Sequence, residues 1–458
     1  MGRNDITPMQ SSADIAILGA GPAAVATACG LRRLGHDCVL IGVSRNTAVE
    51  GMSERTHSLL RQAGLVAAAS TLPRPTERTG TWAGEAVPGG RECVVDRVEL
   101  DAALLIDAVS NGVTIRNERA LGYERHGSLW RVQTERGELL CRTLVDARGR
   151  RAQRPVVRGP ELIAVCQRFR YRHAGQSFTR IEAAPQGWCW LAVSRGMGWL
   201  QVTSSRKEPS LRLGLKQHIG RFIASVPRLA AALADAAPLG APLARAATAT
   251  LSADPQRAGM LRIGDAALAL DPLSGQGVYE ALRGAHITTA AAHTFLATGQ
   301  WEPIEQFLAE RTSELWQRRN AAAALHYLRQ AQSTPTVFWS QCNAHYSSLR
   351  APRSSDPRAP RIERRPVLNG MQIEVRRVVV TPQCPRGVWQ VEAVDLPELM
   401  DVLEAREVKR GDVERAAGHL CRPPGAVVHA LQWLRAQGLY GESEPAHAGL
   451  SSSTARQA

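Results

Sequence analysis

Residues 261–282, LRIGDAALALDPLSGQGVYEAL, place Asp265, Pro272, Gly275 and Gly277 at spacings suited to a charged, polyol-bearing cofactor. Asp265 follows a short apolar run, where a carboxylate can accept hydrogen bonds from a polyol. Pro272 and the turn at 275–277 interrupt the chain before an apolar-periodic helix begins. Backbone N–H groups in such a turn, at the partially positive N-terminus of a helix, stabilise negative charge. A reduced flavin presents both a polyol and such charge, so the segment predicts flavin binding; a tight turn without a ligand is the alternative.

A second glycine motif lies near the N-terminus. The apolar run at 14–18, DIAIL, is followed by the loop GAGPAA and by a helical stretch to about residue 34. A strand, glycine loop and helix in this order form the setting in which GxGxxA binds a dinucleotide pyrophosphate. Gly19 permits the turn, Gly21 lets a phosphate approach the backbone, and Ala24 is small enough for the helix to pack against the strand.

The next strand, predicted at residues 38–41, ends without the acidic residue that usually holds the adenosine ribose in this fold. Gly42 stands at that position. We therefore expect Ser44 or Arg45 to make the ribose contact. The glycine motif and the later acidic motif together predict a Rossmann-like α/β domain with FAD as its cofactor.

The two motifs together resemble those of FAD-dependent monooxygenases built on the plan of para-hydroxybenzoate hydroxylase. In that family the acidic residue meets the flavin ribityl chain, and the segment after it lines the edge of the isoalloxazine ring. The resemblance implies the first role for Asp265. It implies the second role for Pro272, Gly275, Gln276 and Gly277.

The resemblance also implies cofactor contacts for two arginines. Arg55 closes the segment EGMSER, which resembles the chain that passes beside the flavin in the family; a charged helix start is the alternative. Arg97 opens RVELD, similar to the family's R-x-x-L-D helix start, where the arginine approaches the flavin or the pyrophosphate. A third match, LVDARGR at 144–150, lies near the pyrophosphate in relatives, but it carries Arg148 in place of a small residue.

Strands with aromatic residues follow from about residue 162 to residue 250, and this pattern predicts a substrate-binding sheet. Its segment GWCWLAV, at 187–193, resembles the WxWxIP motif of the flavin-dependent tryptophan halogenases. Alternate residues of a strand share one face, so Trp188 and Trp190 would together wall a substrate pocket beside the flavin. An aromatic ladder packed within the sheet is the alternative.

The predicted fold is an α/β FAD-binding domain of the Rossmann-like, glutathione reductase type, with a β-sheet substrate domain and a small α+β C-terminal domain. The predicted boundaries are 1–160 and 251–300 for the FAD-binding domain, 161–250 for the substrate domain, 301–349 for a helical segment that packs on the FAD-binding domain, 350–366 for a linker, 367–440 for the C-terminal domain and 441–458 for a disordered tail. In the C-terminal domain, strands near 371–380 and 388–394 precede helices near 396–405, 410–419 and 424–437. This pattern resembles a winged-helix or a peptide-recognition module.

Composition excludes several other classes of protein. No apolar run approaches the roughly 18 residues that a membrane span needs, and the polar N-terminus carries no signal core. The nine cysteines lie singly, without CxxC or histidine pairs, which predicts reduced thiols, a cytoplasmic location and no metal site. The net charge of +14 comes almost entirely from arginine. Without interleaved aromatic residues or a reading helix, this charge does not indicate nucleic-acid binding.

The resemblance implies an FAD-dependent monooxygenase that uses NAD(P)H and O2 and hydroxylates an aromatic substrate, such as tryptophan, through a flavin C4a-hydroperoxide. None of the motifs assigns a catalytic base. Halogenases hold the hypohalous species on a lysine between the two cofactor motifs, whereas the first lysine of this chain is Lys207. The permanently protonated arginine cannot form an equivalent haloamine. The chain is therefore expected to hydroxylate rather than to halogenate tryptophan.

A halogenase-like flavoprotein without that lysine, and with an additional C-terminal domain, is similar to the flavoproteins that mature protein-derived tryptophylquinone cofactors. This likeness implies a peptidyl tryptophan as substrate, in a peptide or small protein gripped by the C-terminal domain. Three alternatives remain open. They are a flavin-dependent tryptophan halogenase, a small-molecule aromatic hydroxylase, and a non-catalytic flavin-binding protein whose last domain binds nucleic acid.

Overall fold

The computed structural model describes residues 11–43, 48–86, 90–152, 155–173, 175–252, 256–349, 360–404, 412–440 and 455–457. Two compact units divide the chain. The first consists of Met1–Ala292 and Thr312–Ala351, and the second of His293–Arg311 and Pro352–Ala458. Several sequence predictions lie outside the described residues: the ribose contacts Ser44 and Arg45, the linker at 350–359, and the tail at 441–454 and 458.

Twenty strands and nine helices of the described residues precede position 350, including two helices, α7 and α8, that contribute residues 293–311 to the second unit. The strands are β1 (Ser11–Leu18), β2 (Cys38–Ile41), β3 (Val49–Met52), β4 (Thr76–Trp82), β5 (Glu85–Ala86), β6 (Gly90–Asp96), β7 (Thr114–Arg116), β8 (Ala120–His126), β9 (Leu129–Thr134), β10 (Gly137–Asp146), β11 (Pro155–Arg158), β12 (Leu162–Tyr171), β13 (Phe178–Ala184), β14 (Gly187–Ser194), β15 (Met197–Ser205), β16 (Ala236–Ala246), β17 (Thr250–Ser252), β18 (Gln256–Arg257), β19 (Met260–Arg262) and β20 (Leu268–Ala269). The helices are α1 (Pro22–Arg33), α2 (Glu54–Gln62), α3 (Val66–Ser70), α4 (Arg97–Ser110), α5 (Leu215–Ser225), α6 (Pro227–Ala232), α7 (Gly277–Thr298), α8 (Glu302–Ser333) and α9 (Val337–Ser348).

An eight-stranded sheet forms the predicted Rossmann-like core. Its order is β18-β19-β10-β1-β2-β7, with β9 and β8 continuing from β10, and the pairs β19–β10, β10–β1, β1–β2 and β2–β7 are parallel. Ile15–Leu18 of β1 are fully buried, as the apolar run predicts for a central parallel strand. Leu18 is in register with Ile41 and Asp146, so the carboxyl ends of three strands meet at one edge. Ligands of open α/β sheets bind at this edge.

A nine-stranded sheet forms the predicted substrate domain, in the order β16-β12-β15-β14-β13-β4-β6-β3 with β5 beside β4. The sequence assigned residues 161–250 to this sheet, but it also includes β3 to β6, which the sequence prediction placed with the FAD-binding domain. The reason is the parallel pairing of β13 with β4, in which Thr179 lies opposite Arg78. Such a pairing between strands about a hundred positions apart leaves no local pattern in the sequence. β11, β17 and β20 form a smaller antiparallel sheet.

The helical segment predicted at 301–349 is divided between the two units. Residues 312–351 belong to the first unit, where Tyr327 and Trp339 are fully buried in one cluster with Trp188 of β14. Residues 293–311 belong to the second unit. None of the described helices has the length and apolar character that crossing a membrane requires.

The second unit forms the α+β domain that the sequence predicts. Its strands are β21 (Arg361–Asn369), β22 (Gln372–Val380), β23 (Val388–Val391), β24 (Val394–Asp395) and β25 (Ala455–Gln457), and its helices are α10 (Leu396–Glu404), α11 (Val413–Leu420) and α12 (Pro424–Ala436). A buried apolar cluster, which includes Val388, Leu399 and Leu434, is the core of this unit. Its likeness to a winged helix stays a prediction.

Two boundaries of the second unit differ from the sequence prediction. Residues 361–366, assigned to the linker because of their arginines and prolines, form the first part of β21 and pair along their whole length with β22. Residues 455–457, assigned to a disordered tail, form β25 and pair with β23. In both cases a pairing partner distant in sequence determines the structure, and a polar composition does not reveal such a partner.

Candidate FAD and substrate site

The first glycine of the N-terminal motif lies where three strands end. Gly19 has φ +121°, and its N–H donates to the carbonyl of Ile41 across 2.7 Å. A Cβ on Gly19 would lie 2.5 Å from the carbonyl oxygen of Ala147, closer than real Cβ atoms approach. Both the left-handed backbone and the contact therefore require glycine.

The same packing explains why no acidic residue follows β2. A Cβ on Gly42 would lie 2.7 Å from the carbonyl carbon of Gly19 and 2.8 Å from the nitrogen of Ala20. No side chain fits here without a shift of the glycine loop. The absence of an acidic residue after β2 therefore has a steric cause.

The N-terminus of α1 is suited to a phosphate group. Gly21 is the N-cap, no side chain caps the helix, and Pro22 occupies the first turn. The first-turn N–H groups of an uncapped helix bind anions. Ala24 is fully buried, as its predicted role of close packing requires.

Asp265 lies at the same edge of the Rossmann-like sheet, in a 3-10 turn at Gly264–Ala266 that follows β19. Its side chain is 45% exposed, and Oδ2 lies 3.4 Å from Nε of Arg150. Arg150 also donates to the carbonyls of Thr248 and Leu270, the latter across 3.1 Å. The two oxygens of a carboxylate offer several acceptor positions, so a half-exposed carboxylate can accept hydrogen bonds from the hydroxyls of a polyol. Arg150 belongs to the motif LVDARGR, but no role in the site was predicted for it from the sequence.

The predicted flavin loop faces open space. Pro272–Ser274 form a 3-10 turn, Gly275 follows with φ +57°, and Gly277 begins α7. A Cβ added at Gly275 or at Gly277 would meet no atom within 4 Å. These three features fit the parts of FAD. The N-terminus of α1 fits the phosphates, and the half-exposed Asp265 fits the polyol. The open loop at the N-terminus of α7 fits the electron-rich ring.

A buried hydrogen-bond chain holds this loop from behind. Oδ1 of Asp271 accepts the N–H of Leu273 across 2.8 Å, and Oδ2 accepts hydrogen bonds from Tyr346 and, across 3.2 Å, from Tyr327. The indole N–H of Trp188 donates to the Tyr327 hydroxyl across 3.4 Å. We name these four side chains, Asp271, Tyr327, Tyr346 and Trp188, the Asp271 chain. It connects the flavin loop to β14 of the substrate sheet.

Burial controls the ionisation of the Asp271 chain. It raises the pKa of Asp271 above its ordinary 3.8, although the hydrogen bonds from Tyr346, Leu273 and Tyr327 act in the opposite direction. Burial and the neighbouring Asp271 raise the pKa of both tyrosines well above 10.0, so their hydroxyls stay protonated and donate. The sequence missed Asp271 and Tyr346. The only signal was an acidic residue directly before Pro272.

The two tryptophans predicted to wall the substrate pocket lie on one face of β14, but their surroundings differ. Trp188 is 1% exposed and packs among Tyr327 and Trp339, as the alternative of a packed aromatic ladder describes. Trp190 is half-buried, and its indole N–H donates to Oε1 of Glu92 across 3.0 Å. A Cβ on Gly51 would lie 2.3 Å from Oε2 of Glu92, so a larger residue there would displace this carboxylate.

The arginines assigned to the cofactor have different environments. Arg97 is 2% exposed; its guanidinium donates to Oδ1 of Asp101 across 2.7 Å and to Oε1 of Glu50 across 2.6 Å. Burial lowers its pKa, but the two carboxylates raise the pKa further, so Arg97 ties β3 to α4 as a permanent cation. Arg55 is exposed in the first turn of α2 and forms no ion pair within the described residues. The guanidinium of Arg148 donates two hydrogen bonds to the buried Asp146, and the backbone N–H of Arg148 donates a third.

The structure thus brings Gly19, Gly21 and Asp265 to one edge of the Rossmann-like sheet, and it connects the loop at 272–277 to the substrate sheet through the Asp271 chain. Among the described residues, no group of three or more histidine, cysteine, aspartate and glutamate side chains is placed to hold a metal ion. The nine cysteines are free thiols.

Comparisons with known proteins agree with an FAD-binding fold. A family model described as an FAD binding domain matches residues 12–174. No curated protein matches the chain. The solved structure of QhpG, a peptidyl tryptophan dihydroxylase essential for tryptophylquinone cofactor biogenesis, is 30% identical, and the match covers 94% of this chain and 100% of that chain with a TM-score of 0.79.

More distant structures share the fold. The flavin-dependent halogenase CmlS is 16% identical over 94% of this chain and 96% of its own, with a TM-score of 0.69. The myxobacterial chondrochloren halogenase CndH, an FAD-dependent halogenase, is 20% identical over 76% of this chain and 88% of its own, with a TM-score of 0.63. At these identities the likeness concerns the fold alone.

Proposed function

Because this chain belongs to the family of FAD-dependent monooxygenases that contains the peptidyl tryptophan dihydroxylase, we propose that it hydroxylates a tryptophan side chain within a polypeptide. The chain is an FAD-dependent oxidative enzyme with FAD as its cofactor, and FAD, once reduced, supplies the reactivity towards O2. NADH or NADPH is the proposed reductant. The observation that carries the choice of substrate is the 30% identity to that relative along its full length. Maturation of a tryptophylquinone cofactor in another protein is the corresponding biological role.

In this proposal the residues at the sheet edge hold FAD. Gly19, Gly21 and Ala24 let the pyrophosphate reach the N-terminus of α1, and Asp265, held by Arg150, accepts hydrogen bonds from the ribityl hydroxyls. Pro272, Gly275, Gln276 and Gly277 form the loop against the isoalloxazine edge, and the Asp271 chain keeps that loop in position. The cofactor contacts of four other residues stay predictions: Ser44, Arg45, Arg55 and Arg97. Arg97 would act through Glu50, whose side chain is 37% exposed.

Trp190 is the proposed contact for the aromatic substrate, with Trp188 behind it as support. Trp190 is half-buried, and its N–H is already bonded to Glu92, so its ring offers an apolar face without an unsatisfied donor. Such a face can pack against the indole of a substrate tryptophan and exclude water from it.

The second unit is proposed to grip the polypeptide. Its core is its own, and the exposed face of its β21–β22 hairpin carries Arg364 directly opposite Arg377, next to the exposed Val375. A cytoplasmic location is also part of the proposal, because all nine cysteines are free thiols and Cys421 is exposed.

A polypeptide assay with a halide arm tests this proposal. Purified FAD-loaded protein is incubated with O2, NADH or NADPH, and either a tryptophan-containing polypeptide or free tryptophan, with and without bromide. We expect the polypeptide to gain the mass of oxygen and no bromine. Tryptophan halogenation is the second candidate because of the shared fold, and bromide-dependent product would favour it. Oxidation of free tryptophan at a rate equal to that of the polypeptide would instead indicate a small-molecule hydroxylase.

Deletion of residues 361–458 tests the gripping role. The truncated protein should keep FAD and lose affinity for the polypeptide. Since residues 293–311 also belong to the second unit, and Thr294 accepts the N–H of Ile373 across 2.9 Å, an Arg364→Gln variant of the full chain accompanies the truncation. Unchanged polypeptide binding in both proteins would contradict the gripping role.

A further inference from the structure

A surface pocket of about 690 Å³ lies at one end of the substrate sheet, where β4 and β13 begin and β14 ends. Three arginines, Arg74, Arg91 and Arg195, line it together with one acidic residue, Glu77. A volume of this size accommodates an organic ligand rather than a single ion. The pocket lies wholly within the first unit.

The arginines of this pocket are not neutralised by the protein. All three are exposed, and none forms an ion pair with a carboxylate among the residues that the structure describes. Only Arg91 donates a side-chain hydrogen bond, from Nη2 to the carbonyl of Pro75 across 3.0 Å. A fourth guanidinium, that of Arg78, approaches the rim at Gly90. Planar guanidinium groups with unused donors match the geometry of carboxylates.

Arg195, which lines the pocket, has a strained backbone conformation. It occupies the turn between β14 and β15 with φ +51°, and Gly196 follows with φ +72°. Two-residue hairpin turns with positive φ at both positions favour asparagine or glycine at the first of them. A left-handed arginine is uncommon, and strained residues of this kind cluster at binding sites.

The pocket is close to the proposed substrate contact. Val94, which lines it, is two residues along β6 from Glu92, and alternate residues of a strand share a face. Glu92 holds the indole N–H of Trp190. Two residues of a strand span roughly 7 Å, so a polypeptide with its tryptophan at Trp190 has neighbouring residues within reach of the pocket.

We propose that this arginine-lined pocket binds an acidic segment of the polypeptide substrate, a few residues from the tryptophan that is oxidised. The proposal rests on the proposed function in requiring a polypeptide substrate, and it adds a determinant of which tryptophan is chosen. The carboxylates of the segment pair with Arg74 and Arg195, and Arg91, which lines the same pocket, adds a third positive charge. Free tryptophan lacks such a segment and gains nothing from the pocket.

The test is a binding measurement on FAD-loaded full-length protein by fluorescence anisotropy at low ionic strength. The probes are two labelled peptides with one tryptophan, flanked either by aspartates or by asparagines at the same positions. The wild type should bind the aspartate peptide about tenfold more tightly, the combined effect expected of a few exposed charge pairs. The variant Arg74→Gln/Arg195→Asn should bind both peptides equally. Asparagine suits the left-handed position, so this variant should melt no lower than the wild type.

A matched control separates the pocket from the overall charge of +14. Arg136→Gln/Arg221→Gln removes the same charge from two other exposed arginines and should keep the preference for the aspartate peptide. Equal binding of the two peptides by the wild type, or equal loss of the preference in both double variants, would overturn the pocket proposal. Oxygen incorporation into the same peptides is measured separately. Charge-selective binding without oxidation would count against the proposed function alone, and oxidation without charge selection would count against the pocket alone.

Discussion

The buried hydroxyl of Tyr327 donates a hydrogen bond to the carboxylate of Asp271 across 3.2 Å, although 56 positions separate the two residues. Asp271 stands directly before the flavin loop, and Tyr327 lies in α8. Because Tyr327 also accepts the indole N–H of Trp188, one hydroxyl connects the loop with the substrate sheet. The position of the loop at 272–277 therefore depends on the hydroxyl of Tyr327, which lies outside the GQG motif.

Replacing Tyr327 by phenylalanine tests this dependence. The Tyr327→Phe variant leaves the Trp188 donor without its acceptor and removes one donor from the buried Asp271, so we expect a loss of about 1–3 kcal/mol in the free energy of unfolding. Chemical denaturation measures it. Tyr279→Phe is the matched control, because no hydrogen bond of its hydroxyl occurs among the described residues, and it should change stability by less than about 0.5 kcal/mol. Equal effects of the two variants would contradict the role of the Asp271 chain.

The ionisation of Asp271 predicts a pH dependence of stability. Its pKa in the folded protein is above the ordinary 3.8, so the native state holds this proton more tightly than the unfolded state. The wild type therefore loses stability as the pH rises from 3.8 towards the raised pKa. Asp271→Asn cannot titrate and escapes this loss. Urea denaturation between about pH 4 and pH 8 should show the variant gaining relative to the wild type as the pH rises. A constant difference, or the opposite slope, would contradict the raised pKa.

Asp265 is expected to contribute to FAD affinity more than to folding. Its carboxylate is 45% exposed, so Asp265→Ala should barely change the melting temperature of the apoprotein. Loss of a charged acceptor for the ribityl hydroxyls should weaken FAD binding about tenfold or more. Titration of apoprotein with FAD measures the dissociation constant. Asp235→Ala, at an exposed position in the substrate domain, is the control and should bind FAD as the wild type does. Full affinity in Asp265→Ala would remove Asp265 from the site.

Gly42 offers a test of the packing at the sheet edge. Its added Cβ would lie 2.7 Å from the carbonyl carbon of Gly19, so Gly42→Ala should cost about 1–3 kcal/mol of stability and reduce FAD content. Gly220→Ala is the control within α5, where an added Cβ meets no atom within 4 Å. This change should stabilise the protein by up to about 1 kcal/mol. A stable Gly42→Ala protein with normal FAD content would show that the glycine loop can move aside.

Motifs whose role depends on the local backbone could be predicted from the sequence. Gly19, Gly21 and the GQG turn have fixed spacings from a strand end or a helix start, and the predicted Rossmann-like domain, substrate sheet and α+β domain are confirmed. The lysine-free start of the chain was equally readable, because it concerns composition alone.

Features that depend on partners far away in the sequence could not be predicted from it. The pairing of β4 with β13 and the strand that begins at Arg361 follow from neighbours far away in sequence. The same holds for the Asp271 chain, since Tyr346 is 75 positions from Asp271. The cofactor contact of Arg97 stays a prediction from its motif; the described hydrogen bonds of its guanidinium go to Asp101 and Glu50, two partners that the motif did not identify as such.

The most direct test of the central claim is isotope incorporation into a defined residue. FAD-loaded protein, NADH or NADPH and a tryptophan-containing polypeptide are incubated under heavy-isotope O2 in ordinary water, and the product is digested and analysed by tandem mass spectrometry. The account predicts that heavy oxygen is found on a tryptophan side chain of the polypeptide, and that none is found when FAD is omitted. Product oxygen derived from water, or heavy oxygen found only in hydrogen peroxide while every tryptophan stays unmodified, would contradict it.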